Sequence, residues 1–237
     1  TGQLLDGYQT PNCLLYTHRG VPCHLTPDIL SQLPGSVGLS VPIQDIVSVP
    51  SAETLTAFAK GYKTFSNAPG ILFLTQRDPL INDFGPANPN SITVSGQQGK
   101  KRLTPETFMA FATAFQPDIC ASLADDIAGS SSMSRASKAI TRSLQWLDQC
   151  LQLRSAEQKT QSQASGGIKE GLFFATVQGG THDKLRDICA TSMATRPVDG
   201  FVIGGLCSGE TPEARSHTVA FCLERLPVDK PRLLSGL

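Results

Sequence analysis

The sequence predicts an α/β fold: a (β/α)8 TIM barrel, truncated at its C-terminal end and opened by an N-terminal β-hairpin or antiparallel sheet. Three observations carry that prediction. Short apolar strands alternate with amphipathic helices, the pattern of a parallel sheet joined by right-handed crossovers. About seven barrel-type strands follow the hairpin, one or two units short of a full barrel. No G-x-G-x-x-G loop marks a dinucleotide-binding sheet. The 237 residues suit one large domain over 1–237.

The elements follow in order. Cys13–Thr17 and Val21–Leu25 read as a hairpin turning at Gly20. Thr26 caps a short helix with Pro27 in its first turn. Ser36–Leu39 is a weak strand, and Ser51 leads a helix to Lys60 with Leu55, Phe58 and Ala59 apolar. Ile71–Leu74 and Ser91–Val94 count as barrel strands. Thr104-Pro-Glu opens a helix whose stripe is Phe108, Met109, Phe111, Ala112 and Phe115. Strand Asp118–Leu123 precedes the longest helix, Ser134–Gln152, striped by Ala136, Ile140, Leu144, Leu147 and Leu151. The polar run over about 155–167 lacks aromatics and reads as a flexible loop. Strand Leu172–Val177 with helix His182–Met193, strand Gly200–Ile203 with helix Pro212–Arg225, and strand Pro231–Leu234 complete the chain. The absent initiator Met and the stop within an apolar segment read as a piece of a longer polypeptide.

Composition excludes several function classes. With 20 basic and 20 acidic residues, the net charge is zero, so bulk charge does not hold nucleic acid. A polybasic membrane anchor is excluded on the same ground, and no apolar run approaches a membrane span. The 7 cysteines are scattered, without a CxxC pair, and read as free thiols packed as small hydrophobes. The four histidines, His18, His24, His182 and His217, form no ligand pattern, so no metal site is expected within this chain.

Barrel chemistry sits at the carboxyl ends of the strands, and three ends carry candidates. Asp125 and Asp126 could act as acid and base or as ligands, or one could cap a turn. In Val177-Gln-Gly-Gly-Thr-His, Gln178 could pair with a base edge, and Gly179 and Gly180 would let a ligand approach the backbone. His182 there starts a helix. In Ile203-Gly-Gly-Leu-Cys-Ser-Gly-Glu, which carries Gly204, Gly205 and Leu206, the backbone N–H groups precede a helix N-terminus and could bind phosphate or a polar heterocycle, or the segment is a structural tight turn. Cys207 has no adjacent base. Lys100-Lys-Arg102 is a small basic cluster beside Gly99, a solvated loop or a phosphate contact.

Together these segments resemble the tRNA-guanine transglycosylase, or queuine tRNA-ribosyltransferase, family. Phe173-Phe-Ala-Thr-Val-Gln-Gly-Gly is similar to its F-x-x-V-Q-G-G strand end. Asp199-Gly-Phe-Val-Ile-Gly-Gly-Leu-Cys-Ser-Gly-Glu is similar to D-G-Y-A-I-G-G-L-x-V-G-E, and Leu226–Gly236 to the L-P-x-x-K-P-R-Y-L-M-G that follows. Gly99–Thr107 and Arg135–Trp146 resemble two further family segments. The family exchanges a base at the wobble guanosine of certain tRNAs through a covalent ribosyl–enzyme intermediate, using three aspartates.

The chain departs from that pattern at the aspartates. Ser66-Asn-Ala-Pro-Gly best matches the D-S-G-G motif, so Asn67 replaces the proton-handling carboxylate. Ala124 falls where the base-reading Asp belongs, leaving Asp125 beside it. The nucleophile's region lies beyond Leu237, as does the family's Cys/His site for one zinc ion. General base catalysis is worth roughly 10²–10⁴ in rate, and a lost buried hydrogen bond a further ~1–3 kcal/mol.

The resemblance therefore implies a transglycosylase-like barrel with a degenerate pocket at Asn67, Ala124, Asp125, Gln178, Gly179, Gly180, Gly204, Gly205 and Leu206. Within the family it implies a non-catalytic accessory subunit, with no catalytic residue and no cofactor in this chain. Its partner would be a catalytic queuine tRNA-ribosyltransferase subunit in a heterodimer, with a homodimer as a second arrangement, and tRNA would be met through the complex. The implied location is cytoplasmic, extending to peripheral association with the mitochondrial outer membrane. Two competitors remain: an active transglycosylase using Asp125 or Asp126 with a site completed beyond Leu237, and a barrel binding a sugar phosphate at Gly204-Gly205.

Overall fold

A computed structural model describes residues 2–5, 7–33, 35–78, 84–96, 98–161 and 171–235. Strands β1 (Gly2–Leu5) and β2 (Tyr8–Thr10) form an antiparallel pair, followed by β3 (Leu14–His18), β4 (Val21–Pro22) and α1 (Pro27–Leu30). Next come β5 (Gly38–Pro42), α2 (Ile43–Ile46), α3 (Ala52–Phe58), α4 (Gly61–Ser66) and β6 (Ile71–Thr75). A small sheet of β7 (Ala87–Asn88), β8 (Ser91–Gly96) and β9 (Gly99–Leu103) precedes α5 (Pro105–Phe115) and β10 (Ile119–Ala121). The remainder is α6 (Met133–Gln161), β11 (Leu172–Val177), α7 (Asp183–Ala194), β12 (Gly200–Ile203), α8 (Pro212–Leu223) and β13 (Arg232–Leu234).

The main sheet has 8 strands in the order β13-β12-β11-β10-β6-β5-β3-β4. Every pairing is parallel except β3 with β4. Each parallel strand lies beside its successor in the chain, which is the singly wound order of a barrel rather than the reversing order of a doubly wound sheet. The sheet curls as part of a barrel would.

Both faces of the central strands β5, β6, β10, β11 and β12 are largely buried, which is why they read as continuous apolar runs. In β6 the alternation sends Leu72 and Leu74 to the helix-side core, and Ile71 and Phe73 to the concave side. On the concave side Phe73 meets Phe174 edge to face at 5.7 Å, and Tyr8 joins the same cluster. The helices cover the convex side. Thr104 caps α5 in a reciprocal capping box with Thr107, and the whole predicted stripe from Phe108 to Phe115 is buried. Ser51 and Thr211 cap α3 and α8 by accepting from Thr54 and Ala214 backbone N–H groups.

Three expectations need correction. Ser91–Val94 is not a barrel strand: β8 pairs antiparallel with β7 and β9 in the separate 3-stranded sheet, because the chain after β6 turns back on itself before α5. The barrel strand miscounted in its place is β3, the hairpin's first strand, which joins the parallel sheet against β5. The polar run from residue 155 is helical as far as Gln161, where a loop was expected; residues 162–167 fall outside the described set. Its residues are good helix formers, and Glu157 is fastened to α5 by accepting from Thr113 Oγ1 at 2.7 Å.

Candidate functional site

Inward alternation along the strands builds a cavity at the carboxyl end of the sheet. Phe174, Thr176 and Gln178 share one face of β11 and its extension, as Val202 and Gly204 do for β12. Thr75, Ala121, Thr176 and Val202 form the floor, and Gln76, Arg77, Ala124, Asp126, Gln178 and Gly204–Leu206 the walls. The volume is about 40 Å³. That is room for a few waters, against the roughly 300–1,000 Å³ of small-molecule sites.

The polar groups in this cavity are occupied with one another. Gln76 Oε1 accepts from the Ala124 N–H at 2.7 Å. Asp126 is the carboxylate among the described lining residues: its Oδ2 accepts from Arg77 Nε at 2.7 Å and its Oδ1 from Gln178 Nε2 at 3.1 Å. The Arg77 guanidinium also stands 4.4 Å over the Phe84 ring. Gln178 Oε1 is buried without a hydrogen-bond partner among the described residues. Gly205 has a left-handed φ of +65°, and a Cβ there would stand 2.5 Å from Gln178 Oε1, so glycine is what lets this loop close over the amide.

The candidates divide on this frame. Ala124, Gln178, Gly204, Gly205 and Leu206 line the cavity together. Asn67 does not join them: it ends α4 in the left-handed conformation, before β6 begins, whereas the cavity is reached where β6 ends, at Gln76 and Arg77. Asp125 is also outside. Its carboxylate is fully buried toward α6, held by Arg135 Nη1 and Nη2 at 2.7 and 2.5 Å and by Arg142 Nη1 at 2.9 Å. Of the two adjacent aspartates, Asp126 faces the cavity, because consecutive residues on extended backbone point to opposite sides.

Gly179 and Gly180 are not among the residues that line the cavity. They wrap Arg186, fully buried on α7, which donates to the carbonyls of Gly180, Val177 and Gly204 at 2.7, 3.0 and 2.8 Å. A Cβ at Gly179 would meet Arg186 atoms at 3.0–3.2 Å. Arg186 thus ties the β11 and β12 loops together, a role invisible in an amphipathic helix where an arginine reads as solvated. His182 is the N-cap residue of α7, with Nε2 2.9 Å from the Ser131 carbonyl.

In the third loop several amides are bonded within the chain, beginning with the Gly204 N–H, which donates to the Val177 carbonyl at 3.1 Å. The N–H groups of Cys207 and Ser208 donate to the Glu210 carboxylate, which Arg215 Nε meets at 2.9 Å. Burial alone would raise the Glu210 pKa, but the Ser208 and Cys207 amides and Arg215 outweigh it and hold the carboxyl down at about 2. The loop's anion is its own glutamate. Cys207 is half-buried, and burial raises its thiol above the ordinary value, the wrong direction for a nucleophile.

Of the cysteines, Cys120, Cys150, Cys189 and Cys222 are buried as expected, while Cys13 and Cys23 are exposed. Among the described residues no group of three or more His, Cys, Asp or Glu side chains could hold a metal ion. No described helix is long and apolar enough to cross a membrane.

A singly wound, curled α/β sheet with a cavity at its strand carboxyl ends defines a barrel-type protein. The family is equally definite: the family model for queuine tRNA-ribosyltransferase matches residues 3–237, and the chain belongs to that family. It is 30% identical over 233 residues to the queuine tRNA-ribosyltransferase accessory subunit 2 of Trichoplax adhaerens, covering 97% of this chain and 61% of that protein. Against the same subunit of Ixodes scapularis it is 34% identical over 248 residues, covering 99% and 59%. Against that of Homo sapiens it is 32% identical over 237 residues, covering 96% and 54%. The chain thus spans little more than half the length of these curated relatives.

Proposed function

We propose that this chain is the larger part of the barrel of a non-catalytic accessory subunit in a queuine tRNA-ribosyltransferase complex. Its role is to pair with a catalytic subunit and help position tRNA for exchange of guanine by queuine at the wobble position. The observation that carries this reading is the state of the cavity. Its carboxylate, Asp126, is paired with Arg77 and bonded by Gln178, while Ala124, three residues past the end of β10, stands in the wall. A general base must reach the proton it takes, and both oxygens of this carboxylate already accept from the chain's own side chains. The names of the relatives support the same reading.

In this reading the curled sheet belongs to a (β/α)8 barrel. Its closure, and the zinc site, lie in the part of the relatives' length that this chain does not span. The location is cytoplasmic, including the cytoplasmic face of mitochondria, where such a complex meets its tRNA. The test is reconstitution of the full-length protein with a catalytic subunit. The expected result is a stable heterodimer on size exclusion, exchange of labelled guanine by the pair, and none by this subunit alone. Exchange by this subunit alone at a rate matching the catalytic subunit overturns the proposal.

A further inference from the structure

The 3-stranded sheet β7-β8-β9 is inserted between the end of β6 and the start of α5, at the same end of the main sheet as the cavity. Its inner face is apolar: Ile92 and Leu103 stand opposite one another and are buried, as is Val94. Its outer face follows from the same register. Thr93 stands opposite Arg102 and Ser95 opposite Lys100, so two cations and two hydroxyl residues share one side. Lys100, Lys101 and Arg102 are all exposed, and β9 is the outer strand of its sheet. Among the described residues none of the three meets a carboxylate at ion-pair distance. In a chain of zero net charge this is a local concentration of positive charge without compensation.

From this placement, and resting on the functional reading above, we propose that the outer face of β8 and β9 contacts the phosphate backbone of the RNA bound by the complex. Lys100 and Arg102 are the charge-bearing contacts, and Thr93 and Ser95 add hydroxyls. Residues two apart on a strand are about 6.7 Å apart at Cα, so the two long side chains run side by side and can reach neighbouring phosphates. Lysine, arginine, serine and threonine are the side chains that make such backbone contacts, which set register and orientation without reading sequence. A surface of this kind explains how a neutral subunit can brace RNA: a few cations sit together beside the cavity end.

The test uses the full-length protein reconstituted with a catalytic subunit and a tRNA carrying a wobble guanosine. Binding is measured between 50 and 200 mM salt for the unaltered complex, for K100Q/R102Q and for the charge-conserving K100R/R102K. The expected result for K100Q/R102Q is weaker binding and a plot of log K against log salt shallower by about 1.4–1.8 units, from the loss of two phosphate contacts. The K100R/R102K pair should keep the unaltered slope. An unchanged slope and affinity in K100Q/R102Q, with the heterodimer intact, overturns the proposal and leaves the functional reading standing. Loss of subunit association instead of RNA affinity also overturns it, by assigning the face to the protein partner. If the unaltered protein does not join a catalytic subunit at all, the functional reading falls and this inference falls with it.

Discussion

Arg77, just past the end of β6, donates from Nε to Oδ2 of Asp126, beyond the end of β10, at 2.7 Å, and both side chains are largely withdrawn from solvent. This pair engages the carboxylate that lines the cavity among the described residues. Its two partners come from neighbouring strands, so it also staples the mouth of the sheet.

Removing one member should therefore cost more than removing both. R77M leaves Asp126 with Gln178 and the Ile127 N–H but no counter-charge. A loss of about 2–4 kcal/mol is expected in urea unfolding of the full-length protein, with the R77M/D126L double variant recovering most of it. Additivity of the two single changes to within about 0.5 kcal/mol would show that the pair is not coupled.

Asp125 should behave as a structural carboxylate. D125A strands the Arg135 and Arg142 guanidinium groups around an empty buried position, at a cost of about 3–5 kcal/mol. D125N, which keeps the shape and the acceptor oxygen, should cost less. At a temperature where D125N stays folded, guanine exchange by the reconstituted pair should keep its kcat and KM. A fall in kcat with a displaced pH profile would instead restore Asp125 to the chemistry.

Local signals made much of this fold legible and distance hid the rest. The Thr104-Pro105 start, the strands Leu172–Val177 and Gly200–Ile203, and the helix opening at Pro212 appear where capping and apolar runs put them. Ser91–Val94 carried the same apolar signal as a barrel strand, and only its pairing with β9 separates the two cases. The cavity residues Gln178, Gly204, Gly205 and Leu206 were legible because their glycine-rich segments end strands. Asn67 was misplaced because matching a motif by composition ignored where β6 ends. Arg77 and Arg186 carried no sequence signal, since each earns its role from partners on other strands or loops: Asp126 for Arg77, the Gly204 carbonyl for Arg186.

Arg186 should be among the least replaceable residues at this end of the molecule. Its planar fork satisfies three carbonyls that a lysine cannot reach together. R186K should lower stability by about 3–5 kcal/mol, as expected for a broken buried charge network. R186Q provides the check if R186K fails to fold, since it removes the buried charge while keeping a donor. A loss under about 1 kcal/mol in both would mean that the carbonyls find other donors at little cost.

Glu210 gives the loop after β12 a pH dependence of known sign. Its carboxyl is held at about 2 in the folded protein, below the ordinary glutamate value of 4.5. A depressed folded pKa contributes stability that is fully present above the unfolded value and is lost as pH falls from there toward the folded one. The window therefore runs from about pH 5 down to pH 2. Discounting for the solvent that reaches Arg215, the contribution is about 1–2 kcal/mol. Urea unfolding of the full-length protein at pH 5, 4 and 3 should show the unaltered protein losing stability faster than E210Q, which carries no proton-linked charge at this position. Parallel curves for the two proteins across that window would mean that the Cys207 and Ser208 amides do not hold the Glu210 charge in the folded state.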